Sequence, residues 1–408
     1  MDTNLNDIGL IVGLILNFYV TNTFIKDLIL IDNVFYLGRN LFIKLMSMLV
    51  VPLVFCSIIV GVTSISDIKK IGSIGGRAIL IYLLTTALAV SIALLIAGII
   101  EPGIGLNMTG LADPSNVTTN VTVTNTILDM IPDNPLNSLA NGDMLPLIIF
   151  GVVVGFILAK LKEETATINK LFTEGNTVMM EMTNIVMKFA PIGVFCLIAK
   201  TFATLGMDGL MPLSKYVACV LLALAVQAFI VYPTLLVIFT RLNPIKFFKK
   251  FFSVMLFAFS SSSSNATIPL NLEKLSEMGV SKEVSSFTIP LGATINMDGT
   301  AIMQGVVVMF AAQAYGIDLG LSALITVIFT AVMASIGTAG VPSVGLVTLN
   351  MVFASVGLPT DAIGLIMGID HILDMIRSAV NVTGDAICTI IISFKNKSVD
   401  LDAFNSEK

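Results

Sequence analysis

The side chains best suited to chemistry lie near the end of the chain, in the segment DMIRSAVNVTGD at residues 374–385. Carboxylates, a guanidinium group, an amide and hydroxyls occur there within an otherwise apolar stretch. On a helix with about 100° per residue, the polar residues of this region fall within one stripe about 100° wide. They are Asp370, Asp374, Arg377, Ser378, Asn381 and Asp385. The spacing predicts one polar face on an apolar helix, with lipid or packed neighbours behind it.

Two interpretations of this stripe are available. Polar residues can join helices to each other within a membrane, which suits Ser and Asn. Ionised groups fit that role poorly, because each costs at least about 2.5 kcal/mol at the centre of a bilayer. The concentration of ionisable groups on one stripe therefore favours a binding site.

Arg377 is the only Lys or Arg in residues 283–394. Its planar fork suits bidentate binding of a carboxylate, although it could also pair with Asp374 or Asp370. One guanidinium group cannot neutralise all the carboxylates of this region, which belong to Asp298, Asp370, Asp374 and Asp385. The remaining negative charge must be met by mobile cations, by protonation or by an ammonium group of a ligand.

The segment NMDGT at residues 296–300 interrupts an apolar run and is predicted to be unwound. Asn296, Asp298 and freed backbone carbonyls would supply the oxygen ligands that hard cations prefer. An acidic amino acid fits the same charges, with a carboxylate on Arg377 and its ammonium group on Asp374. Importing that monoanion against an inside-negative potential costs about 2.3 kcal/mol per 100 mV, which accompanying cations would offset.

The elements that must position these residues are interrupted hydrophobic segments. The stretches SSSSSNATIP (260–269) and SIGTAGVPSVG (335–345) each separate apolar arms shorter than a membrane span. A Ser-rich linker and an ordinary loop are the alternatives. Because NMDGT interrupts a further segment nearby, two re-entrant hairpins are favoured, whose tips must be buried in protein or line a cavity.

Composition places the chain in a membrane. It is 56% hydrophobic and 12% charged, whereas soluble domains carry about 25% charged residues. Ordinary spans are predicted at residues 7–24, 42–63, 78–100, 144–158, 185–199 and 216–240. Residues 78–159 contain no Lys or Arg, so the polar segment 103–143 is predicted to be external and the lysine-rich loops cytoplasmic. Scattered cysteines and a single His371 indicate neither a zinc site nor a disulfide framework.

These motifs together resemble the dicarboxylate/amino acid:cation symporter family, which includes sodium-coupled glutamate and aspartate transporters. The resemblance covers nearly the whole chain. It rests on KLMSMLVVPLVFCSIIVGV (44–62), YLLTT (82–86), APIGVFCLIAK (190–200), the Ser-rich hairpin, NMDGT, SIGTAGVP and DMIRSAVNVTGD.

The resemblance implies an all-α membrane protein with eight spanning helices and two re-entrant hairpins, assembled as a homotrimer. It implies scaffold spans in residues 1–75, a transport-domain span in 76–102, and an external loop with scaffold spans in 103–212. Residues 213–395 would complete the transport domain, which slides as an elevator with the second hairpin (321–356) as its gate. Residues 396–408 would form a cytoplasmic tail.

The resemblance also implies the site residues. Arg377 would bind the side-chain carboxylate of the substrate and Asp374 its amino group. The remaining substrate contacts would come from Ser378, Asn381, Thr300, Ser264, Val341 and Gly345. Sodium ions, as co-transported cations, would occupy sites drawn from three sets of oxygen ligands. These are Gly292, Asn296, Asn381 and Asp385; Thr294, Ser335, Ile336 and Thr338; and Tyr82, Thr85, Thr86, Asn296 and Asp298.

Three positions depart from patterns in the family. Ser378 stands where a Thr is common in acidic amino acid carriers. Because the hydroxyl is kept, we expect only an adjusted affinity for the substrate. Gln304 replaces the proton-carrying Glu of neuronal carriers, which argues against proton coupling through that position. Ser262 replaces an Arg of archaeal carriers.

The predicted function is symport of L-aspartate or L-glutamate with several sodium ions in the cell membrane. Neutral amino acid carriers lack the equivalent of Arg377, and C4-dicarboxylate carriers lack that of Asp374. The alternative is a proton-coupled glutamate or C4-dicarboxylate symporter of the same fold. An anion channel is disfavoured because its pore would need more Lys or Arg, and without HExxH or a Ser–His pairing an enzyme is not expected.

Overall fold

The computed structural model describes residues 34–64, 73–106, 131–141, 144–189, 210–337, 344–359 and 361–406, with the single positions 12, 108, 128, 192, 193, 195, 196 and 199. These residues form helices and connecting turns, with no β-strand and an isolated bridge between Val280 and Val399. The predicted all-α class is confirmed. The span predicted at 7–24 lies almost wholly outside the described residues.

The first half contains long apolar helices joined by short connections. They are α1 (Tyr36–Ser64), α2 (Ser73–Ile100), α3 (Pro135–Asn141), α4 (Met144–Leu161) and α5 (Ala166–Lys188), with a 3-10 turn at Lys162–Thr165 between the last two. The spans predicted at 42–63, 78–100 and 144–158 lie within α1, α2 and α4. The predicted start of a span at 185 is wrong, because α5 ends at Lys188. Pro191 follows, and the residue before a proline disfavours helical dihedral angles.

The second half begins with a nearly continuous apolar helix and then becomes interrupted. Its elements are α6 (Leu210–Val226), a π-helical segment (Gln227–Val231), α7 (Tyr232–Thr240), α8 (Pro244–Ser261), α9 (Ser264–Glu277), α10 (Lys282–Ile295), α11 (Asp298–Tyr315), α12 (Leu321–Gly337), α13 (Val344–Ser355), α14 (Asp361–Lys395) and α15 (Leu401–Asn405).

By length and apolar composition, four stretches among the described residues are able to cross a membrane. They are Ile74–Ile100, Met211–Thr240, Lys282–Tyr315 and Ile372–Lys395. The first two expose much of their apolar surface, whereas the last two are almost fully buried by other helices. The buried pair therefore forms the centre of the molecule, and the exposed pair is suited to face lipid.

The Ser-rich stretch is a sharp turn between two helices that pack against each other, α8 and α9. Helix α8 ends where Ser262 adopts left-handed dihedral angles, with φ 49° and ψ 31°. Ser263 is extended and caps α9, because its side chain accepts a hydrogen bond from the amide of Ala266 at 3.2 Å. The tip is buried in protein, since Ser262, Ser263 and Ser264 are each at most 8% exposed.

The second predicted hairpin, like the first, has a helix on each side of its connection. Helices α12 and α13 pack against each other and against α1. Their connection, residues 338–343, lies outside the described residues. With 17 and 12 residues, the arms extend about 26 and 18 Å at 1.5 Å per residue, which is less than the roughly 30 Å of a bilayer core.

The predicted unwound segment is shorter than the motif NMDGT. Only Asn296 and Met297 leave the helical conformation, and α11 begins at Asp298. Asp298, Gly299 and Thr300 thus belong to the first helical turn, where a carboxylate is favoured by the unpaired amides and the positive end of the helix dipole. The helix is interrupted as predicted, but the unwound segment is two residues long and not five.

Helix α14 lies at the centre of the second half and packs against α8, α10 and α11, while α2 runs along α11. All residues of its polar stripe are buried. The opposite face is packed as well, since Val380, Val382 and Ile387 are at most 4% exposed. The C-terminal part of the face behind the polar stripe is therefore packed against protein, whereas Ile372, nearer the start of the stripe, is 55% exposed.

The end of the chain folds back onto the first hairpin. The amide of Asp400 donates to the Gly279 carbonyl at 2.8 Å, and the amide of Ser281 donates to the Ser398 carbonyl at 3.1 Å. Gly279 has a φ of +78°, and a Cβ there would collide with Asp400. Phe404 of α15 is fully buried. Residues 398–405 are therefore a packed part of the fold.

Candidate functional site

Arg377 forms the centre of one half of the polar stripe. One terminal nitrogen, Nη1, donates to Asp370 Oδ1 at 2.7 Å, and the other, Nη2, donates to Asp374 Oδ1 at 2.8 Å. The Arg377 side chain is 0% exposed. Its Nε has no hydrogen-bond partner among the described residues. The guanidinium group therefore holds both neighbouring acids and keeps a donor for a further acceptor.

The other half of the stripe meets the helix break. Asn296 Nδ2 donates to Asp385 Oδ1 at 2.9 Å, and its Oδ1 lies 3.2 Å from the hydroxyl of Thr85 in α2. The amide nitrogen of Asn296 donates to the Gly292 carbonyl at 2.8 Å. Gly292 has to be a glycine for this packing, because a Cβ would collide with Asp385. Carboxylate, amide, hydroxyl and carbonyl oxygens thus meet in one buried place.

Asp298 is a separate buried carboxylate held by neutral donors. Thr86 Oγ1 donates to its Oδ1 at 2.6 Å, while Tyr232 OH and Gln227 Nε2 donate to its Oδ2 at 2.9 and 3.1 Å. The donors come from α2, α7 and the π-helical segment. Each hydrogen-bond partner that the described residues give Asp298 is uncharged, so its negative charge is stabilised without being neutralised.

The π-helical segment explains how Gln227 and Tyr232 reach the same carboxylate. Side chains five residues apart point about 140° apart on a regular α-helix. A π-helical turn bonds residues i and i+5, which brings such side chains towards one face. Sequence reasoning missed both residues. The available signal was a glutamine in a long apolar span, followed five residues later by a tyrosine.

Asn381 links the two halves. Its Oδ1 accepts a hydrogen bond from the amide of Gly299 at 2.7 Å, and its Nδ2 lies 3.4 Å from the sulfur of Met297. A Cβ on Gly299 would lie 2.7 Å from the Arg377 carbonyl, so the glycine permits α11 and α14 to approach closely. The first turn of α11 is therefore fixed against the arginine-bearing turn of α14.

The second hairpin packs against α11 beside the site. Gly345, in the first turn of α13, packs against Thr300, because a Cβ there would lie 2.7 Å from Thr300 Cγ2. Deeper in α11, Gln304 Nε2 donates to Thr348 Oγ1 at 2.8 Å. Ser264 is buried in the tip of the first hairpin, and Ser378 is buried on α14. Val341 and Thr338 lie outside the described residues.

The remaining predicted cation ligands lie on packed helices. The carbonyl oxygen of Tyr82 lies 3.0 and 2.9 Å from the hydroxyl oxygens of Thr85 and Thr86. Thr294 is on α10, while Ser335 and Ile336 are on α12, and these two helices are in contact. Within the described part of the chain, no three His, Cys, Asp or Glu side chains are grouped to hold a metal ion. The oxygen set available at this site is mostly neutral.

Comparison with known proteins agrees with this architecture. A sequence profile of the sodium:dicarboxylate symporter family matches residues 7–394. The chain is 36% identical to a proton/sodium-glutamate symport protein of Geobacillus stearothermophilus over 87% of its length and 86% of the relative. It is 35% identical to the proton/glutamate-aspartate symporter of Escherichia coli, over 89% and 86%. It is 31% identical to a C4-dicarboxylate transport protein of Cupriavidus taiwanensis, over 88% and 84%. The chain is therefore a multi-pass membrane protein that belongs to the sodium:dicarboxylate symporter family of transporters.

Proposed function

We propose that this protein imports L-aspartate or L-glutamate together with several sodium ions. The observation that carries the proposal is one buried guanidinium group in ion pairs with two acids, together with two further buried carboxylates whose hydrogen-bond donors among the described residues are neutral. Arg377 meets Asp370 and Asp374, while the partners of Asp298 and Asp385 among the described residues are hydroxyls and amides. An acidic amino acid with sodium ions supplies the charges that this arrangement needs.

The substrate would bind to an arginine that already forms ion pairs with Asp370 and Asp374. Its side-chain carboxylate would accept from Arg377 Nε and one terminal nitrogen, and its ammonium group would approach Asp374. Asp370 would keep its bond to the guanidinium group and hold the fork in place. The main carboxylate would be bound by residues around the first turn of α11 and the hairpin tips, namely Ser378, Asn381, Thr300, Ser264, Val341 and Gly345.

Sodium would occupy three sets of oxygen ligands. The first uses the Gly292 carbonyl with Asn296, Asn381 and Asp385, and the second uses Thr294, Ser335, Ile336 and Thr338. The third surrounds Asp298 with Tyr82, Thr85, Thr86 and Asn296. The contacts among Thr85, Asn296 and Asp385 support the first and third sets, because the oxygens of both are already gathered around the helix break.

Elevator movement of a transport domain within a homotrimer completes the proposal. Helix packing supports the division: α1 packs with α4 and α5, whereas α2, α6 and α8–α11 gather around α14. The two groups meet where α12 and α13 contact α1. A hairpin at this boundary is suitably placed to act as the gate.

The alternative is a proton-coupled symporter for glutamate or a C4-dicarboxylate, and relatives with such names are among those that match. Gln304 disfavours proton coupling at its own position, because an amide that donates to Thr348 cannot carry a proton. Asp374 disfavours a C4-dicarboxylate, since such a substrate lacks the ammonium group that would approach it.

Uptake of radiolabelled aspartate into proteoliposomes tests the proposal. Sodium, proton and potassium gradients are imposed separately, and glutamate, succinate and serine compete in parallel. We expect uptake only with a sodium gradient, a Hill coefficient for sodium above one, and competition by glutamate but not by succinate. Full uptake driven by a pH gradient in sodium-free buffer would instead support the proton-coupled alternative.

A further inference from the structure

The base of the first hairpin contains a basic cavity that the transport site does not use. The cavity has a volume of about 350 Å³ and is lined by Lys246, Lys249, Lys250, Lys274, Glu277, Met278 and Ser406. Four ammonium groups there face a single carboxylate, that of Glu277, which pairs with Lys274. The lining is strongly cationic, although its walls come from separate elements: α8, α9 and the end of the chain.

Two of these lysines have a structural role. Lys246 Nζ donates to the Asn405 carbonyl at 3.0 Å, and Lys250 Nζ donates to the Ala403 carbonyl at 2.8 Å. Both bonds satisfy carbonyls at the C-terminal end of α15, where positive charge is favoured. Partial burial lowers the pKa of the Lys250 ammonium group, and the charges of Lys246 and Lys274 lower it further. The cluster is therefore crowded with positive charge after α15 has been bound.

Lys249 has no such role. It is exposed and makes no hydrogen bond or ion pair with the residues that the structure describes. It lies within an exposed apolar stripe of α8. Ile245 precedes it by four residues, and Phe252 and Leu256 follow it by three and seven residues, so all four share one side of the helix. These three side chains are 77%, 62% and 54% exposed. A positive charge thus stands at the base of an apolar surface.

The apolar surface continues beyond α8. Phe257 is 43% exposed. It lies about two and three helical turns beyond Lys250 and Lys246, on the same side of α8. Phe248 contacts Phe229 with ring centroids 5.8 Å apart, and Phe229 is 65% exposed. The exposed face of the π-helical segment is therefore continuous with that of α8. Such an apolar surface is typical of contact with lipid chains.

The position of the cluster matches an anionic membrane surface. Lysines and arginines concentrate at this end of the helices, where Arg77 donates to Asn396 at 3.1 Å. Under the positive-inside rule this end faces the cytoplasm. Lysine clusters beside a membrane helix on that side attract the anionic headgroups of the inner leaflet.

We propose that this cavity binds the headgroup of an anionic phospholipid, with its phosphate at Lys249 and Lys274 and its acyl chains along Phe252, Leu256 and Phe257. The lipid would touch α8 and α9, while Ser406, which follows α15, closes the cavity. Such a lipid would connect the base of the first hairpin to the inner leaflet.

Native mass spectrometry of the delipidated, purified protein tests the proposal. Dioleoyl phosphatidylglycerol and dioleoyl phosphatidylcholine are compared on the unaltered chain, on the double variant Lys249→Gln with Lys274→Gln, and on Lys170→Gln. Lys170 is a matched control, because it is an exposed lysine in an ion pair with Glu174 on α5. Lys246 and Lys250 are left unchanged because they hold α15. Thermal unfolding of each variant checks that the fold is retained.

We expect the unaltered chain and Lys170→Gln to retain phosphatidylglycerol at least about tenfold better than phosphatidylcholine. The double variant should lose most of this preference with an unchanged unfolding temperature. Equal retention of both lipids by the unaltered chain, or an unchanged preference in the double variant, would overturn the proposal. Displacement of phosphatidylglycerol by millimolar inorganic phosphate would also overturn it, since the cavity would then bind a free anion.

Discussion

Arg377 and Asp298 hold their charges away from water in different ways. Arg377 meets two carboxylates at 2.7 and 2.8 Å, whereas Asp298 meets hydroxyl and amide donors from three elements. Neutral donors lower the cost of burying a carboxylate but leave its charge in place. Asp298 is thus suited to attract a cation, and Arg377 is suited to orient an acidic group among its own partners.

The hydroxyl of Tyr232 provides a test at this scale. Tyr232→Phe removes a donor from the buried carboxylate of Asp298, which makes its ionised form less stable. We expect the sodium concentration for half-maximal aspartate binding to rise about tenfold, because a hydrogen bond to a charged group contributes about 1.5 kcal/mol. Tyr216→Phe is the matched control: Tyr216 is equally buried, and its hydroxyl has no hydrogen-bond partner among the described residues. Equal sodium dependence in both variants would contradict the role given to Tyr232.

Arg377→Cys tests the substrate contact. Aspartate binding measured by calorimetry in detergent should be lost, because the only cationic group of the stripe is removed. We expect the variant to be less stable by about 3–5 kcal/mol, because two buried acids lose their cationic partner. Binding of a neutral amino acid such as serine would show that the variant is folded. Arg241→Cys, an exposed arginine, is the control, and unchanged aspartate affinity in Arg377→Cys would rule out the assigned contact.

At the scale of elements, the site depends on interruptions of helices. The break at Asn296 and Met297 places the side-chain amide of Asn296 between Asp385 of α14 and Thr85 of α2. The π-helical segment turns Gln227 and Tyr232 towards Asp298. The tip of α8 and α9 is held by a left-handed Ser262. At each interruption, regular helical hydrogen bonds are lost in the interior of the protein. Side chains and other backbone groups nearby can bond to the freed N–H and C=O groups instead.

Gly345 tests whether the second hairpin closes on the site. Gly345→Ala would place a methyl group 2.7 Å from Thr300 Cγ2, so α13 should be displaced and aspartate should bind about tenfold more weakly. Gly320→Ala is the control, because nothing lies within 4 Å of its Cβ position. Adding Thr300→Ser, which removes Cγ2 but keeps the hydroxyl, should restore much of the affinity. A loss in Gly345→Ala that Thr300→Ser fails to relieve would disprove this contact as the cause.

Several of these elements were predictable from the sequence. The 3.6-residue period predicted the stripe from Asp370 to Asp385, and Ser and Gly clusters predicted the interruptions. The extent of the break was not predictable, because Asp298 can begin a helix as readily as it can lie in a loop. Tyr232 and Gln227 were missed because side chains five residues apart point in different directions on a regular α-helix, and only the π-helical segment brings them together. The pairing of Asp370 with Arg377 remained one of two alternatives until the fold was known.

At the scale of the whole molecule, charge determines the energetics of transport. An acidic amino acid with one sodium ion is electrically neutral, and each further sodium ion adds a positive charge that the membrane potential drives inward. The surplus of buried carboxylates over Arg377 fits more than one sodium ion. The packing of α2 and α6–α14 around one centre would allow these charges to move together with the substrate.

The membrane potential gives a corresponding prediction. An inside-negative potential, imposed by a potassium gradient with valinomycin, should increase sodium-driven aspartate uptake several-fold, since about 2.3 kcal/mol per charge becomes available at 100 mV. Proteoliposomes with equal potassium on both sides are the control. Uptake rates that do not respond to the potential would indicate an electroneutral exchange and no more than one net sodium ion per substrate.

The most direct test titrates aspartate into the purified protein by calorimetry at a series of sodium concentrations, at constant ionic strength and pH. On this account, the guanidinium group of Arg377 accepts an acidic amino acid only when metal ions balance the neighbouring carboxylates. The affinity for aspartate will then rise with sodium concentration. A plot of the logarithm of the association constant against the logarithm of the sodium concentration will have a slope above one. Aspartate binding of the same strength in sodium-free buffer would contradict this account.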